Sequence, residues 1–309
     1  MRYNPKARLD TSQVQVRSGG GGGGGFRLPS GGGGRGGGLK VGGGIGGLII
    51  LVLVLVLQSQ LGGGGGGGTG QAGAGPDTDA LAHCEDGTDA QQDRQCGIVA
   101  DVNSIQSFWS EALPRQSDRD YREAGTNLFT GGVSTGCGNA SSDVGPFYCP
   151  VDEGVSLDRT FFEDMLQGRL GAEGGAFSES YVLAHEYGHH VQNILGTMGR
   201  VRTQQGPDSD AVRLELQADC YAGMWAKHAT EAPDADGQPY ILELTDEDIA
   251  QALDAARAVG DDRIQQRSGG RVNPDAWTHG SSEQRMAWFR TGLEQGSLQA
   301  CDTFAARQL

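Results

Sequence analysis

Of the 309 residues, 54 are glycine, and 29 of those fall in the first 75 positions. Runs such as Gly19 to Gly25, Gly31 to Gly34 and Gly36 to Gly38 cannot build a core, because they have no side chains to bury and the most backbone entropy to lose. The uneven glycine divides the chain into a leader and a body. Charge divides it at the same place: residues 1 to 75 carry seven Lys or Arg against one Asp, so the body carries −21 of the net −15. A body of some 230 residues is long enough to bury a core as one domain. Its acidity, with no Lys/Arg cluster, excludes nucleic acid as a partner, since phosphate binding is driven by basic groups.

Within the leader, Val41 to Leu57 has no charged or polar side chain and ends in the unbroken run Leu48 to Leu57. Carried on to Leu61 it approaches the ~20 residues that cross a bilayer as a helix. The leader therefore reads as a disordered, basic, Gly-rich tail (1–40), one transmembrane helix (41–61) and a Gly-rich linker (62–76), ahead of a domain over 77–309. Arg2, Lys6, Arg8, Arg17, Arg27, Arg35 and Lys40 place the N-terminus in the cytoplasm by the positive-inside rule. The expectation is a single-pass cell-membrane protein whose domain is extracytoplasmic. Two other readings compete. The apolar run as a buried strand has no neighbours to pair with, and a signal-peptide core cut at Ala72-Gly73-Ala74 would be cut unusually far beyond the core.

All six cysteines, Cys84, Cys96, Cys137, Cys149, Cys220 and Cys301, follow the apolar run, an even number suited to an oxidising compartment. The first four form two sequence-local pairs, which favours Cys84 with Cys96 and Cys137 with Cys149, leaving Cys220 for Cys301. Other connectivities, or buried thiols, stay open. No C-x-x-C supports a cysteine zinc site.

The expected fold class is α+β, mostly α: a zincin-like domain with a small β-hairpin before the active-site helix. Pro146 to Pro150 and Val155 to Leu157 read as the hairpin strands. Ser104 to Leu113, Phe161 to Leu170, Glu179 to Leu195, Asp208 to Ala229, Thr245 to Val259 and Ser281 to Thr291 read as helices from their apolar spacing. The last two open on capping-box patterns, Thr245 to Asp248 and Ser281 to Gln284.

His185-Glu186-Tyr187-Gly188-His189 is an H-E-x-x-H sequence. Residues four apart share one helix face, so His185 and His189 can present two nitrogens to one zinc ion while Glu186 stands beside the open position as general base. The metzincin extension fails, because Gln192 and Leu195 occupy its Gly and His positions. A carboxylate from a later helix is the alternative third ligand. Glu215 with Asp219 one turn on fits it: Glu215 binds the metal and Asp219 holds a ligand histidine through its other nitrogen. His190, turned about 100° from His189, reads as a packing residue, and His83 and His228 have no motif around them. His279, just before a helix, and Arg285, in that helix's first turns, are donors that could stabilise an oxyanion.

These segments together resemble the bacterial neutral zinc metallopeptidase family. The resemblance is carried by Gly136 to Ser142, Gly145 to Pro150, Leu157-Asp158 with Phe161-Phe162, His185 to Gln192, Glu215 to Cys220 and Thr278 to Arg285, in that order, and spans about residues 39 to 304. It implies a zincin fold and a zinc cofactor more securely than a substrate. The membrane-associated gluzincins that include the prenyl-protein endopeptidases are similar at greater distance, with T-H-P-x-x-x-x-R where this chain has Thr278-His279-Gly280 and Arg285. That similarity implies transition-state contacts for His279 and Arg285.

The expected activity is hydrolysis of peptide or protein substrates by water that zinc activates and Glu186 deprotonates, with Pro146 to Pro150 or Val155 to Leu157 accepting an extended substrate as an added strand. Two alternatives remain: an envelope protein with structural zinc that binds peptides or partners without cutting them, and a hydrolase of non-peptide amides.

Overall fold

The computed structural model describes residues 1–18, 77 and 79–309. The described chain opens with strands β1 (Arg2–Tyr3) and β2 (Val14–Ser18), then helices α1 (Gly87–Gln92) and α2 (Arg94–Gln116). Strands β3 (Gly125–Thr130), β4 (Gly132–Thr135), β5 (Gly138–Ser141), β6 (Phe147–Cys149) and β7 (Gly154–Asp158) follow, with a π-helical segment at Phe161–Arg169. The second half holds α3 (Ala176–Leu195), α4 (Asp210–His228), β8 (Ile241–Glu243), α5 (Asp246–Ala258), α6 (Asp261–Arg267) and α7 (Ser282–Gln295).

The helices begin where side chains satisfy their free N–H groups. Asp93 accepts from Gln95 and Cys96 at the start of α2, Ser209 caps α4, and the boxes of Thr245 with Asp248 and Ser281 with Gln284 form as the sequence predicts. Helix α2 runs well beyond Ser104 to Leu113 at both ends, with Pro114 tolerated in its last turn. The expected hairpin forms: β6 pairs antiparallel with β7.

The class differs from the mostly α expectation. The described chain is mixed α/β, about half helical. A four-stranded sheet in the order β2-β3-β7-β6 carries two parallel pairings, β2 with β3 and β3 with β7, beside the two-stranded pairs β1-β8 and β4-β5. Strand β3, Gly-Thr-Asn-Leu-Phe-Thr, lacks clean alternation and sits in Gly/Ser-rich sequence, so only its partners reveal it.

The leader also differs from expectation. Residues 1–18 are part of the body: Tyr3, Ala7, Val14 and Val16 are buried in the main core, β1 pairs with β8, and β2 extends the sheet. Val16 also bridges Asp77, whose N–H donates to the Val16 carbonyl at 2.9 Å. Val16 and Asp77 therefore lie side by side. Residues 1–18, expected as a disordered tail apart from the domain, are thus paired with it. Among the described residues no helix is long and apolar enough to cross a membrane, and 41–61 itself lies outside them.

The three disulfides are Cys84–Cys96, Cys137–Cys149 and Cys220–Cys301. The first ties the loop before α1 to α2, the second ties the β4-β5 hairpin to β6, and the third ties α4 to the C-terminal segment. Helices α3, α4 and α7 pack together as the layer that carries the site.

Candidate metal centre

His185 and His189 lie on the buried face of α3, and Glu215 comes from α4, which crosses it. The crossing is close because residue 188 is glycine: a Cβ there would stand 3.0 Å from both the Cα and the carbonyl oxygen of Ala218. His185 Nε2 lies 3.3 Å from Glu215 Oε2, and His189 Nε2 lies 3.5 Å from Glu215 Oε1. Donors held at about 2.1 Å from a tetrahedral zinc ion are roughly 3.4 Å apart. The three side chains thus fit zinc in spacing and in donor type, and each is buried.

The outer nitrogens are occupied, which aims the inner ones. His185 Nδ1 faces Asp219 Oδ1 at 2.8 Å, and His189 Nδ1 faces Gln192 Oε1 at 2.8 Å. Asp219 also accepts from Tyr181 at 2.6 Å and from Arg285 Nε at 2.8 Å and Nη2 at 2.9 Å. Burial opposes the charge on Asp219, but the Arg285 guanidinium and His185 hold its carboxyl down to about 2. Burial likewise opposes a charged His185, yet Asp219 and Glu215 lift it to about 9, so a metal there competes with a proton. Glu215 is held well below the usual carboxylate range, against its burial, by His189, His185 and His279.

Glu186 lies close enough to His185, His189 and Glu215 for their charges to interact, and it makes no hydrogen bond among the described residues. Burial pushes its carboxyl up, against the pull of the two histidines. His279 stands near enough to Glu215 for their charges to interact. Its Nδ1 faces Thr278 Oγ1 at 2.8 Å and Asp261 Oδ1 at 3.4 Å, which leaves Nε2 without a partner among the described residues. Burial opposes its protonation, but Asp261 and Glu215 raise its pKa.

Arg285 departs from the role its position implied. It is 4 % exposed, and its guanidinium is spent on Asp219, with Tyr181 Oη and His185 Nδ1 each at 3.3 Å from Nη2. A buried guanidinium needs a paired carboxylate, so Arg285 braces His185 from behind instead of facing a reacting oxyanion. His190 packs as expected: Nε2 donates to the Arg122 carbonyl at 2.6 Å, and Nδ1 accepts from Tyr148 Oη at 2.9 Å.

The added-strand expectation also changes. Strand β7 is interior to the sheet, so Val155 to Leu157 has no free edge. Strand β6 is an edge strand, but Phe147, Tyr148 and Cys149 are all buried, two under the β4-β5 hairpin and the third against His190. Neither segment offers an open edge.

Several residues of the centre went unread in the sequence. Asp261, which begins α6, accepts through Oδ2 from the N–H groups of Thr278, His279 and Gly280 at 2.7, 2.7 and 3.1 Å and so shapes the loop that carries His279. It is far from that loop in sequence and carries no motif. Gln192 did carry a signal, since a residue three after His189 shares its helix face. A second group, His83 with Cys84 and Cys96, has metal-like spacing, but its thiols are joined in a disulfide.

Two buried histidines from H-E-x-x-H and a carboxylate from a second helix form a three-donor group of the kind that holds a zinc ion, with an unbonded glutamate beside them. The chain belongs to the family described as "Putative neutral zinc metallopeptidase", which it matches over residues 13–304, and zinc is its metal. It is 51 % identical over 231 residues to the uncharacterized protein Rv2575 of Mycobacterium tuberculosis, covering 74 % of this chain and 77 % of that one. The uncharacterized protein YpfJ of Escherichia coli K12 is 42 % identical over 207 residues, covering 65 % and 68 %. No solved structure matches the chain.

Proposed function

We propose that the chain hydrolyses peptide bonds, with His185, His189 and Glu215 holding the zinc ion and Glu186 acting as general base. The observation that carries this reading is the open donor set. Three protein ligands converge, no fourth His, Cys, Asp or Glu joins them among the described residues, and the uncommitted Glu186 carboxylate lies close enough to all three for their charges to interact. A structural site would close with a fourth ligand. The nearest cysteine, Cys220, is bonded to Cys301 and cannot serve.

A bound zinc ion supplies Lewis acidity that eases the ionisation of water and polarises a carbonyl. Glu186 takes the proton from the attacking water and returns it to the departing amine; its raised pKa suits both transfers. His279, whose pKa Asp261 and Glu215 raise, donates from Nε2 to the oxygen that becomes negative in the tetrahedral intermediate. Asp219 with Arg285 keeps His185 in register. The three disulfides support a location outside the reducing cytoplasm.

The test is cleavage of unfolded casein by the purified chain with and without a chelator. Cleavage is expected, and the chelator is expected to abolish it. Glu186→Gln should keep its zinc and lose roughly 10²–10⁴-fold in rate. Undiminished cleavage by that variant sinks the assignment, and zinc binding with no cleavage at all favours a binding protein.

A further inference from the structure

We propose that the Cys220–Cys301 disulfide is a positioning element for the metal site, acting through two buried amides that end on His189. The inference rests on the zinc reading above but not on peptide hydrolysis.

Gln192, in the position that breaks the metzincin pattern, donates from Nε2 to the Leu214 carbonyl at 2.7 Å and to Gln217 Oε1 at 3.2 Å. Gln217, in the middle of the Glu215 to Cys220 motif, donates from Nε2 to the Cys301 carbonyl at 3.0 Å. Carbonyl oxygens only accept, so both amides are fixed in orientation. Gln192 must then turn Oε1 toward His189. An oxygen can only accept there as well, so the His189 proton sits on Nδ1 and the Nε2 lone pair faces Glu215 and the metal position. The order runs from the Cys301 carbonyl through Gln217 and Gln192 to a metal ligand, with every link buried. Each link is shielded from bulk solvent, so a shift at one end passes to the other.

The far end of this relay lies in the segment after α7, which has no helix or strand to hold it. Hydrogen bonds between Arg213 and residues Thr303 and Ala306 attach that segment further along, but its covalent tie is the disulfide, at the residue whose carbonyl receives Gln217. The two metal histidines are thus secured differently. His185 leans on the ion pair of Asp219 and Arg285, within the helix layer. His189 leans on neutral amides whose anchor is a cross-linked tail.

The test is zinc affinity of the full chain, read by competition with a chromophoric chelator and without any peptide. Gln217→Met, with all disulfides intact, should weaken zinc about tenfold, the lower end of what lost support behind a ligand costs. Cys220→Ala with Cys301→Ala should weaken it to a similar degree. All three changes together should be no worse than either, because both cut one relay, whereas independent structural damage would multiply. Cys84→Ala with Cys96→Ala removes a disulfide remote from the relay and should leave the affinity unchanged. Unchanged affinity in Gln217→Met, or losses that multiply, would overturn the proposal. If the double cysteine variant fails to fold, the parent is compared before and after reduction of its disulfides, and unchanged affinity in the reduced, folded chain would overturn the proposal. A parent chain that binds no zinc overturns the proposal together with the metal site, while zinc binding without hydrolysis counts only against the peptidase reading.

Discussion

Asp101 lies outside the metal centre, yet it is a buried acid with a marked pH signature. It is 2 % exposed and accepts from Tyr3 Oη at 3.0 Å and Ser180 Oγ at 2.7 Å, joining β1, α2 and the metal-binding helix α3. Burial pushes its carboxyl up from 3.8 to about 7, against those two hydrogen bonds. The folded state therefore holds this proton more tightly than the unfolded chain. Its contribution is fully present below about pH 4, where both states are protonated, and is lost as pH rises through about 7. At about 1.4 kcal/mol per unit the loss approaches roughly 4 kcal/mol. Asp101→Asn cannot ionise, so its stability relative to the parent should rise between pH 4 and pH 8, as read from urea melts. A constant difference would show that Asp101 titrates normally. Nothing in Val-Ala-Asp-Val marks this residue in the sequence. The metal helix is different: His185 and His189 as ligands, and Glu186 beside them, are legible because their spacing maps directly onto that helix.

At the scale of elements, the α3-α4 crossing decides whether two histidines become three ligands. Gly188 stands at the contact, with Ala218 backbone where its Cβ would go. Gly188→Ala should force the helices apart by a few tenths of an ångström and carry Glu215 away from Nε2 of both histidines. Overpacking of this kind costs about 1–3 kcal/mol. The expected outcome is a lower melting temperature together with weaker zinc binding, and a stable variant with full affinity would show that the crossing can relax. Helices α3, α4, α5 and α7 were legible from apolar spacing and caps, to within three or four residues at their ends. Strand β3 was not, since Gly-Thr-Asn-Leu-Phe-Thr is strand-like only once β2 and β7 lie on either side of it. Arg285 shows the same limit in the site. Its place early in α7 is readable, but whether it faces a substrate or a buried carboxylate depends on how α7 packs on α4.

For the whole molecule, the first 18 residues are the least expected part of the fold. Tyr3, Val14 and Val16 bury their side chains, and β2 covers one edge of β3. Deleting residues 1–18 should destabilise the body by on the order of 5 kcal/mol, from about 1.5–3 kcal/mol for each large apolar side chain. It should also promote aggregation through the bared edge of β3. Thermal unfolding and light scattering of the truncated chain test this, and an unchanged melting temperature would detach the segment from the body. The short segment was misread for a physical reason. Gly-rich sequence after it and basic residues within it describe a solvated tail, and nothing local to Val-Gln-Val-Arg says that a parallel partner waits more than a hundred residues away.

The chemistry available is written locally: two imidazoles and a carboxylate at helical spacing, a second helix with Glu215 and Asp219, and cysteines placed so that near neighbours could pair. Those are local properties, set by the periodicity of a helix and the short reach of a disulfide loop. Tertiary structure alone decided which groups face the metal and which brace it. It turned Arg285 inward onto Asp219, set Asp261 behind His279, buried the edge of β6, and folded residues 1–18 into the body. Each of those outcomes depends on contacts between segments far apart in the chain, where burial removes water and every polar group must find a partner.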